Sequence, residues 1–189
     1  FRVANANATD VIEIPGNRTV NTALELRTGV LDLGTTADRT LTVVNGGTIK
    51  RRSSASVVLN GGSLAFGGND MLVVYEANAA MTTGVELPAT VKDLTFTRSS
   101  NVANATTTIN SSVTINGLLW IRNDINIGAA TIVTALGDIK VEREDPVTYS
   151  NATDPAFGGA GAIVLGGSAD QTITVPAAGA SIGSITINK

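Results

Sequence analysis

The segment Thr40-Leu41-Thr42-Val43-Val44-Asn45-Gly46-Gly47 contains the two patterns that decide the fold. In its first half, threonine alternates with apolar residues, as expected of a β-strand with one buried face. In its second half, the Asn-Gly-Gly run predicts a sharp corner, because Asn and Gly tolerate the positive φ values that such corners require. Equivalent corners are predicted at Asn60-Gly61-Gly62, Asn116-Gly117 and Gly166-Gly167.

Short apolar or alternating segments predict strands along the whole chain. Besides residues 40–44, they are residues 57–59, 71–75, 113–115, 139–141, 163–165, 172–175 and 185–187. Residues 76–81 form the one segment with a helical composition. They are too few and lack an apolar face, so we expect a loop there.

The composition supports a β-rich protein with an aliphatic core. Hydrophobic residues make up 43% of the 189 residues but aromatic residues only 4%, so Val, Ile, Leu and Ala must provide most of the buried surface. Charged residues amount to 15%, against roughly 25% in an average domain. Thr, Asn, Ser and 20 Gly take their place, and these residues favour strands and turns over helices.

Composition also narrows the classes of partner. The net charge of −3 argues against nucleic acid, since phosphate binding requires a concentrated basic surface. The one basic cluster, Lys50-Arg51-Arg52, is interpreted as a solvated turn. The chain has no Cys, and hence no disulfide and no thiolate metal site. No apolar run approaches the roughly 18 residues of a membrane span, so none is predicted.

Five short segments in the first half of the chain match five in the second half, in the same order. The pairs are residues 3–6 with 102–105, 18–27 with 113–122, 31–34 with 125–128, 47–50 with 137–140, and 91–98 with 182–189. We therefore predict one β repeat over residues 1–98 and a second, continuous with it, over residues 99–189. Both ends fall at the same phase of the repeat, as expected of an excerpt from a longer array or of a subunit that continues into its neighbour.

Two all-β architectures fit these patterns. A parallel β-solenoid with coils of about 20–25 residues would give eight or nine coils about 4.8 Å apart. The alternative is a pair of immunoglobulin-like sandwiches, since about 95 residues is the usual size of such a domain. Three features favour the solenoid: few aromatic residues, recurrent Asn-Gly corners, and no clear linker between Arg98 and Ser112.

Residues 61–98 carry a pattern of motifs known from a bacterial family. Gly61-Gly62-Ser63-Leu64 is followed by Leu72-Val73-Val74-Tyr75 and then by the run from Thr82 to Thr95. This order resembles the repeats of large secreted surface proteins of the Bacteroidetes and related bacteria, where Tyr, Thr-Thr-Gly, Glu-Leu-Pro and Val-x-x-Leu-Thr recur. Residues 168–173 and 184–189 look like the other common version of that unit. The resemblance implies a secreted or surface-attached, largely structural β protein with no catalytic residues to transfer.

The side chains that most enzymes use are scarce. The chain has no His, which excludes His general bases, His-containing triads and His metal ligands. It has no phosphate-binding loop of the P-loop type, and Gly158-Gly159-Ala160-Gly161 is interpreted as a turn. Neither Asn69-Asp70 nor Asn123-Asp124 has the ligand spacing of a calcium loop.

Acidic residues are the remaining candidates for chemistry. Glu142, Glu144 and Asp145 lie beside Arg143, and Asp70 lies near Glu76. Carboxylate pairs can support glycoside hydrolysis, but a charged surface turn ended by Pro146 explains the first group more simply. We therefore predict no catalytic, cofactor-binding or metal-binding residue.

Two surface features leave alternatives open. Five Asn-x-Ser/Thr triplets occur, at Asn7, Asn17, Asn104, Asn110 and Asn151, and nothing in the sequence decides whether any is glycosylated. Thr-rich strands such as residues 40–42 and 172–174 suggest a flat Thr array of the ice-binding kind, but the Thr positions have no short fixed period. Good strand propensity explains these Thr residues equally well.

The expected function is structural. The sequence predicts a component of a bacterial extracellular surface assembly, such as a filament, stalk or adhesin shaft, that associates end to end with copies of itself. The alternative is a carbohydrate-binding or carbohydrate-active β-helix domain, for which surface glycans would be the partner. No cofactor is predicted.

Overall fold

The computed structural model describes residues 1–35, 39–175 and 183–189. Within these residues every regular element is a β-strand, and every pair of neighbouring strands is parallel. The chain winds into a parallel β-solenoid of about seven turns. The solenoid prediction is confirmed, and the sandwich alternative is wrong because such sandwiches are built from antiparallel sheets.

Each full turn contributes strands to three faces of the coil. The first face contains β1 (Arg2–Ala4), β4 (Ala23–Asp32), β6 (Thr48–Arg52), β9 (Leu72–Glu76), β12 (Asp93–Thr97), β15 (Leu119–Ile121), β18 (Ile139–Val141) and β21 (Ile173–Thr174). The second contains β2 (Val11–Glu13), the second half of β4, β7 (Ala55–Val58), β10 (Met81–Thr82), β13 (Thr107–Ile109), β16 (Ile125–Ile127) and β19 (Phe157–Gly159). The third contains β3 (Arg18–Val20), β5 (Thr40–Val43), β8 (Ser63–Phe66), β11 (Thr90–Val91), β14 (Val113–Ile115), β17 (Ile132–Ala135), β20 (Ala162–Leu165) and β22 (Ile185–Ile187).

The core consists of rows of side chains that stack from coil to coil. Because side chains alternate along a strand, the register brings the inward residue of each coil over that of the next. One row on the first face is Leu24, Ile49, Val73, Leu94, Leu119 and Ile139, all at most 1% exposed. The other is Val3, Leu26, Arg51, Tyr75, Phe96, Ile121 and Val141, in which Arg51 is the one charged member.

The predicted Asn-Gly steps form corners of the coil. Asn60 and Gly61 both have positive φ, 45° and 107°, and turn the chain from β7 into β8. Gly46, with φ of 76°, lies between β5 and β6. These steps are therefore solenoid corners and not the two-residue hairpins that Asn-Gly often forms.

The coils vary in length more than the sequence predicts. Leu119 pairs with Ile139, 20 positions on, whereas Ile139 pairs with Ile173, 34 positions on. The long coil contains an outward segment, residues 142–156, between β18 and β19. We call this segment the strap. It accounts in part for a coil number below the predicted eight or nine.

Of the five matched sequence pairs, three occupy equivalent positions in the solenoid and two do not. Val20 and Ile115 lie on the third face, Leu31 and Ile125 on the second, and Ile49 and Ile139 on the first, each pair four coils apart. In the match of residues 91–98 with 182–189, residues 94–97 lie on the first face but residues 185–187 lie on the third. In the match of residues 3–6 with 102–105, the second segment lies in a loop. Residue 182 of the last match is outside the described residues. The first face crosses residue 98 without a break, because β12 pairs with β15.

Candidate functional site

The basic run Lys50-Arg51-Arg52 lies in strand β6 and not in a turn, so its interpretation as a solvated turn is wrong. Alternation along the strand sends Lys50 and Arg52 outward, where both pair with Glu76 at 2.5 and 2.8 Å. Arg51 points inward and is 8% exposed. The signal was present in the sequence, because Arg51 follows the apolar Ile49 by two positions and must share its face.

Arg51 belongs to a buried polar cluster with Glu86 and Tyr75. The Arg51 guanidinium donates to the Glu86 Oε1 atom at 2.5 Å and to the carbonyl oxygens of Ala55 and Thr82, each at 2.8 Å. The same Oε1 accepts from the Tyr75 hydroxyl at 3.0 Å and from the Gly84 backbone N–H at 2.9 Å. Tyr75 and Glu86 are two of the motif residues on which the family resemblance rests, and the cluster gives both a packing role.

This cluster lies where the coil-to-coil pairing is interrupted. Among the described residues, β7 has no strand partner in the direction of β10, and β8 has none in the direction of β11. In the part of the chain that the structure describes, only the first face, through β6 and β9, carries a backbone ladder across this level. Arg51 comes from the coil before the interruption, and Thr82 and Glu86 from the coil after it. Side-chain bonds therefore hold the two coils together where backbone bonds do not.

The Tyr75 hydroxyl provides a pH test of the cluster. Burial raises the pKa of Tyr75 well above its usual value of about 10, and the negative charge of Glu86 raises it further, although Arg51 opposes this. A raised folded-state pKa means that the stability is intact below about pH 10 and is lost as the pH rises further. In a Tyr149→Phe variant, we expect phenolate absorbance to appear only together with loss of the β signal in circular dichroism. A reversible titration near pH 10 in the folded protein would contradict the burial of Tyr75.

The predicted carboxylate pair Glu142 and Glu144 is committed to ion pairs. Arg122 contacts both, with Nε 3.3 Å from Glu142 and an Nη atom 2.8 Å from Glu144. Glu142 also pairs with Lys140 at 2.7 Å, and Glu144, which is 1% exposed, accepts from the Thr97 hydroxyl. The two carboxylates therefore anchor the start of the strap to the first face.

The other acidic candidates do not converge on these two. Asp145 is exposed and accepts from the Val147 N–H and the Thr148 hydroxyl, bonds that lower its pKa. Arg143 is exposed beside it. Asp70 precedes β9 and Glu76 is the last residue of that strand, and Asp70 bonds to Asn45 instead. The structure thus separates the pair that the sequence places close together.

The strap covers the loop that follows β12. Arg98, 2% exposed, donates to the Val102 carbonyl oxygen and the Asn104 side chain, and its guanidinium lies 5.8 Å from the centre of the Tyr149 ring. Burial lowers the pKa of Arg98, but an arginine remains protonated. Asn101 adds bonds to Ser150 and Asn151. This network ties the long coil to the coil two levels below it.

The only Trp in the chain, Trp120, lies on the outer surface of the first face. Its indole N–H donates to Glu142 at 3.1 Å, and the Arg122 and Lys140 cations lie 4.8 and 5.0 Å from the ring centre. A shallow groove of about 250 Å³ borders the ring. Its lining is Leu72, Val73, Val74, Asp93, Thr95, Leu118 and Trp120. No local sequence pattern indicates a role for this residue, because the outward direction of Trp120 depends on the register of β15.

Two further sequence interpretations concern glycine and metal. Gly158 and Gly159 lie in β19, so the interpretation of the 158–161 run as a turn is wrong for its first half, and Ala160 and Gly161 connect β19 to β20. In the described part of the chain, residues 1–35, 39–175 and 183–189, no three acidic side chains are grouped closely enough to hold a metal ion.

Outward-facing threonines from neighbouring coils lie side by side on the third face. Register places Thr19 beside Thr42, and Thr114 between Thr90 and Thr134. Because the coils differ in length, these positions do not recur at a fixed spacing in the sequence. The row is interrupted at Ala65 and Val164. Thr174, by contrast, lies on the first face, so the two segments named in the sequence do not form one array.

The five Asn-x-Ser/Thr sites differ in exposure. Asn104 is half-buried, and its side-chain amide donates to Asp124 at 2.9 Å and to the Thr153 carbonyl oxygen at 3.2 Å. The other four, at Asn7, Asn17, Asn110 and Asn151, are exposed.

No helix in the described residues has the length and apolar character needed to cross a membrane. Comparison with protein-family models, with curated proteins and with solved structures gave no match for this chain. The fold itself therefore defines the class, which is a parallel β-solenoid with an aliphatic core.

Proposed function

We propose that this protein is a structural component of a bacterial extracellular surface assembly, such as a filament, stalk or adhesin shaft. The observation that carries the proposal is the first face, whose strands pair in unbroken succession from β1 to β21. Each coil adds about 4.8 Å to the long axis and contacts mainly its neighbours, so added coils extend the rod without changing its cross-section. The resemblance to bacterial surface repeats supports the extracellular location.

The last coil supports association along the axis. Ile173 continues the inward row of Leu119 and Ile139, yet it is 37% exposed. Val175 and Ile187, in the same coil, are 45% and 72% exposed. At the opposite end, Phe1, which precedes the paired residue Arg2 of β1, is 47% exposed. A further coil of the same kind, supplied by a second copy or by a longer chain, would bury this surface and pair with the last strands.

A charge on the last coil is expected to block this association. Ile187→Lys places an ammonium group where the next coil would pack, and burying an unpaired charge is costly. We expect the unmodified chain to form concentration-dependent oligomers in sedimentation velocity experiments, and the variant to remain monomeric. Val147→Lys is the matched control, because Val147 is 90% exposed in the strap, whose contacts run back to Arg98 and Asn101. Oligomers that form equally in both variants would contradict the end-to-end arrangement.

The enzymatic alternative, a carbohydrate-active β-helix, depends on Glu142 and Glu144. Glycoside hydrolysis needs one carboxylic acid and one carboxylate that both reach the scissile bond. Glu144 is buried and both residues are paired with Arg122, so their geometry favours the anchoring role. Glycan binding without turnover is supported by a different part of the molecule.

A further inference from the structure

The groove beside Trp120 arises from differences in side-chain size on three successive coils. On β12 the outward residues are Asp93 and Thr95, which are short and form the floor. Register places Leu72 and Val74 of β9 on one side of this floor, and Leu118 and Trp120 on the other. The two walls are therefore two coil spacings apart, about 10 Å. This groove follows the strand direction across the outer surface of the solenoid.

From this groove we infer a binding site for a neutral glycan chain, with one sugar ring packed against Trp120. Sugar rings present apolar C–H groups on their faces and hydroxyl groups around their edges. The indole ring and the aliphatic walls can pack against the C–H faces of a sugar. The Asp93 carboxylate and the Thr95 hydroxyl can form hydrogen bonds with its hydroxyl groups. Recognition sites generally combine an apolar lining with a few convergent polar groups in this way.

Asp93 is held in position for such a role. Its Oδ1 atom accepts a hydrogen bond from the Leu118 backbone N–H at 2.7 Å, which fixes the carboxylate at the edge of the groove. Among the described residues no bond engages its Oδ2 atom, which leaves an acceptor for a sugar hydroxyl. The volume, about 250 Å³, is below the roughly 300 Å³ of the smallest drug-sized pockets. The groove therefore fits one ring of a longer chain.

The backbone around the groove argues against an extended peptide as the ligand. Peptides that bind to sheets usually add a strand to a free edge. Here β12 is paired with β9 on one side and with β15 on the other, so the groove presents a sheet face without free backbone groups. A glycan supplies its own hydroxyl groups and needs no such edge.

The charges around the groove favour a neutral glycan over an acidic one. Arg122 and Lys140 lie close to Trp120, but Glu142 and Glu144 neutralise them. Asp93 is the one charged residue in the lining. A polyuronate would therefore place its carboxylates against Asp93, and the lining contains no cation to offset that repulsion, since the exposed Lys92 lies next to Asp93 in the chain but outside the lining.

The single Trp makes the site directly testable. We expect a saturable change in tryptophan fluorescence when the folded chain is titrated with at least one neutral hexasaccharide from a panel of cellohexaose, chitohexaose, mannohexaose and maltohexaose. Polygalacturonate should give no change at the same sugar concentration. Trp120→Ala should weaken binding, measured by calorimetry, by tenfold or more, as truncation of a central aromatic residue does at other interfaces.

Two further variants test the groove without removing Trp120, which is the fluorescent reporter. Thr95→Leu fills the floor while retaining the fluorescent reporter, and it should abolish the titration. Thr134→Val, a half-buried Thr on the third face, is the matched control and should bind as the unmodified chain does. Unchanged circular dichroism verifies folding in each case. The inference is overturned if no neutral glycan binds, if only polygalacturonate binds, or if Thr95→Leu binds normally. A glycan-binding monomer would support this site and contradict end-to-end association, so the two proposals fail separately.

Discussion

Replacing Arg51 by Met is expected to lower the free energy of unfolding by about 3–5 kcal/mol, because it leaves one charge of a buried ion pair without its partner. Glu86 is 1% exposed, and among the described residues its Oε2 atom already has no hydrogen-bond partner. Without Arg51, the carboxylate would keep only the Tyr75 hydroxyl and the Gly84 N–H as donors. The two coils would also lose the bond from Arg51 to the Thr82 carbonyl oxygen. Urea denaturation followed by circular dichroism measures the loss.

Arg52→Met is the matched control, since Arg52 lies next in the same strand but points outward, and its partner Glu76 keeps a second ion pair with Lys50. We expect it to cost at most about 1 kcal/mol. A triple variant, Arg51→Met with Glu86→Met and Tyr75→Phe, removes the whole polar cluster. It should recover most of the stability, because apolar replacement of a buried ion pair is often neutral or stabilising. Equal stability of the Arg51→Met and Arg52→Met variants would show that Arg51 is not buried as described.

Gly137→Ala is expected to produce the other large loss of stability, because the corner before β18 has no room for a side chain. A Cβ atom at Gly137 would overlap the Gly117 carbonyl oxygen and lie 2.7 Å from its carbonyl carbon. Both are backbone atoms of the corner one coil below, which cannot rotate away. We expect a cost of about 3 kcal/mol, at the upper end of overpacking effects, measured as a lower urea midpoint.

Gly16→Ala is the control for Gly137→Ala, because a Cβ atom there would meet nothing within 4 Å and the φ angle is not positive. It should be neutral or stabilise the protein by up to about 1 kcal/mol, through lower entropy of the unfolded chain. If both alanine variants unfold at the same urea concentration, the close stacking of successive corners is wrong.

The fold was largely predictable because its signals are local. Strand alternation at residues 40–43 and positive-φ corners such as Asn60-Gly61 each depend on a few neighbouring residues. The choice of a solenoid over a sandwich followed from many such corners and few aromatic residues. The absence of a helix at residues 76–81, expected from the sequence, is also what the structure shows.

The surface features were less predictable because they depend on register between distant residues. Trp120 and Thr95 are 25 positions apart, whereas Trp120 and Lys140 are 20 apart, yet all three lie in one outward row. No single sequence period connects them. The burial of Arg51 could have been inferred from alternation with Ile49, but its partner Glu86, in the next coil, could not. The strap likewise joins Glu144 to Arg122 through a fold-back that no local pattern indicates.

Cryo-electron microscopy of the protein isolated from its natural source tests the central proposal most directly, namely that this solenoid is an axial building unit. We expect filaments or stalks whose density shows parallel strands about 4.8 Å apart along the axis, with the first face continuous from one unit to the next. Discrete particles would contradict it, as would filaments in which the solenoid axis lies across the direction of growth.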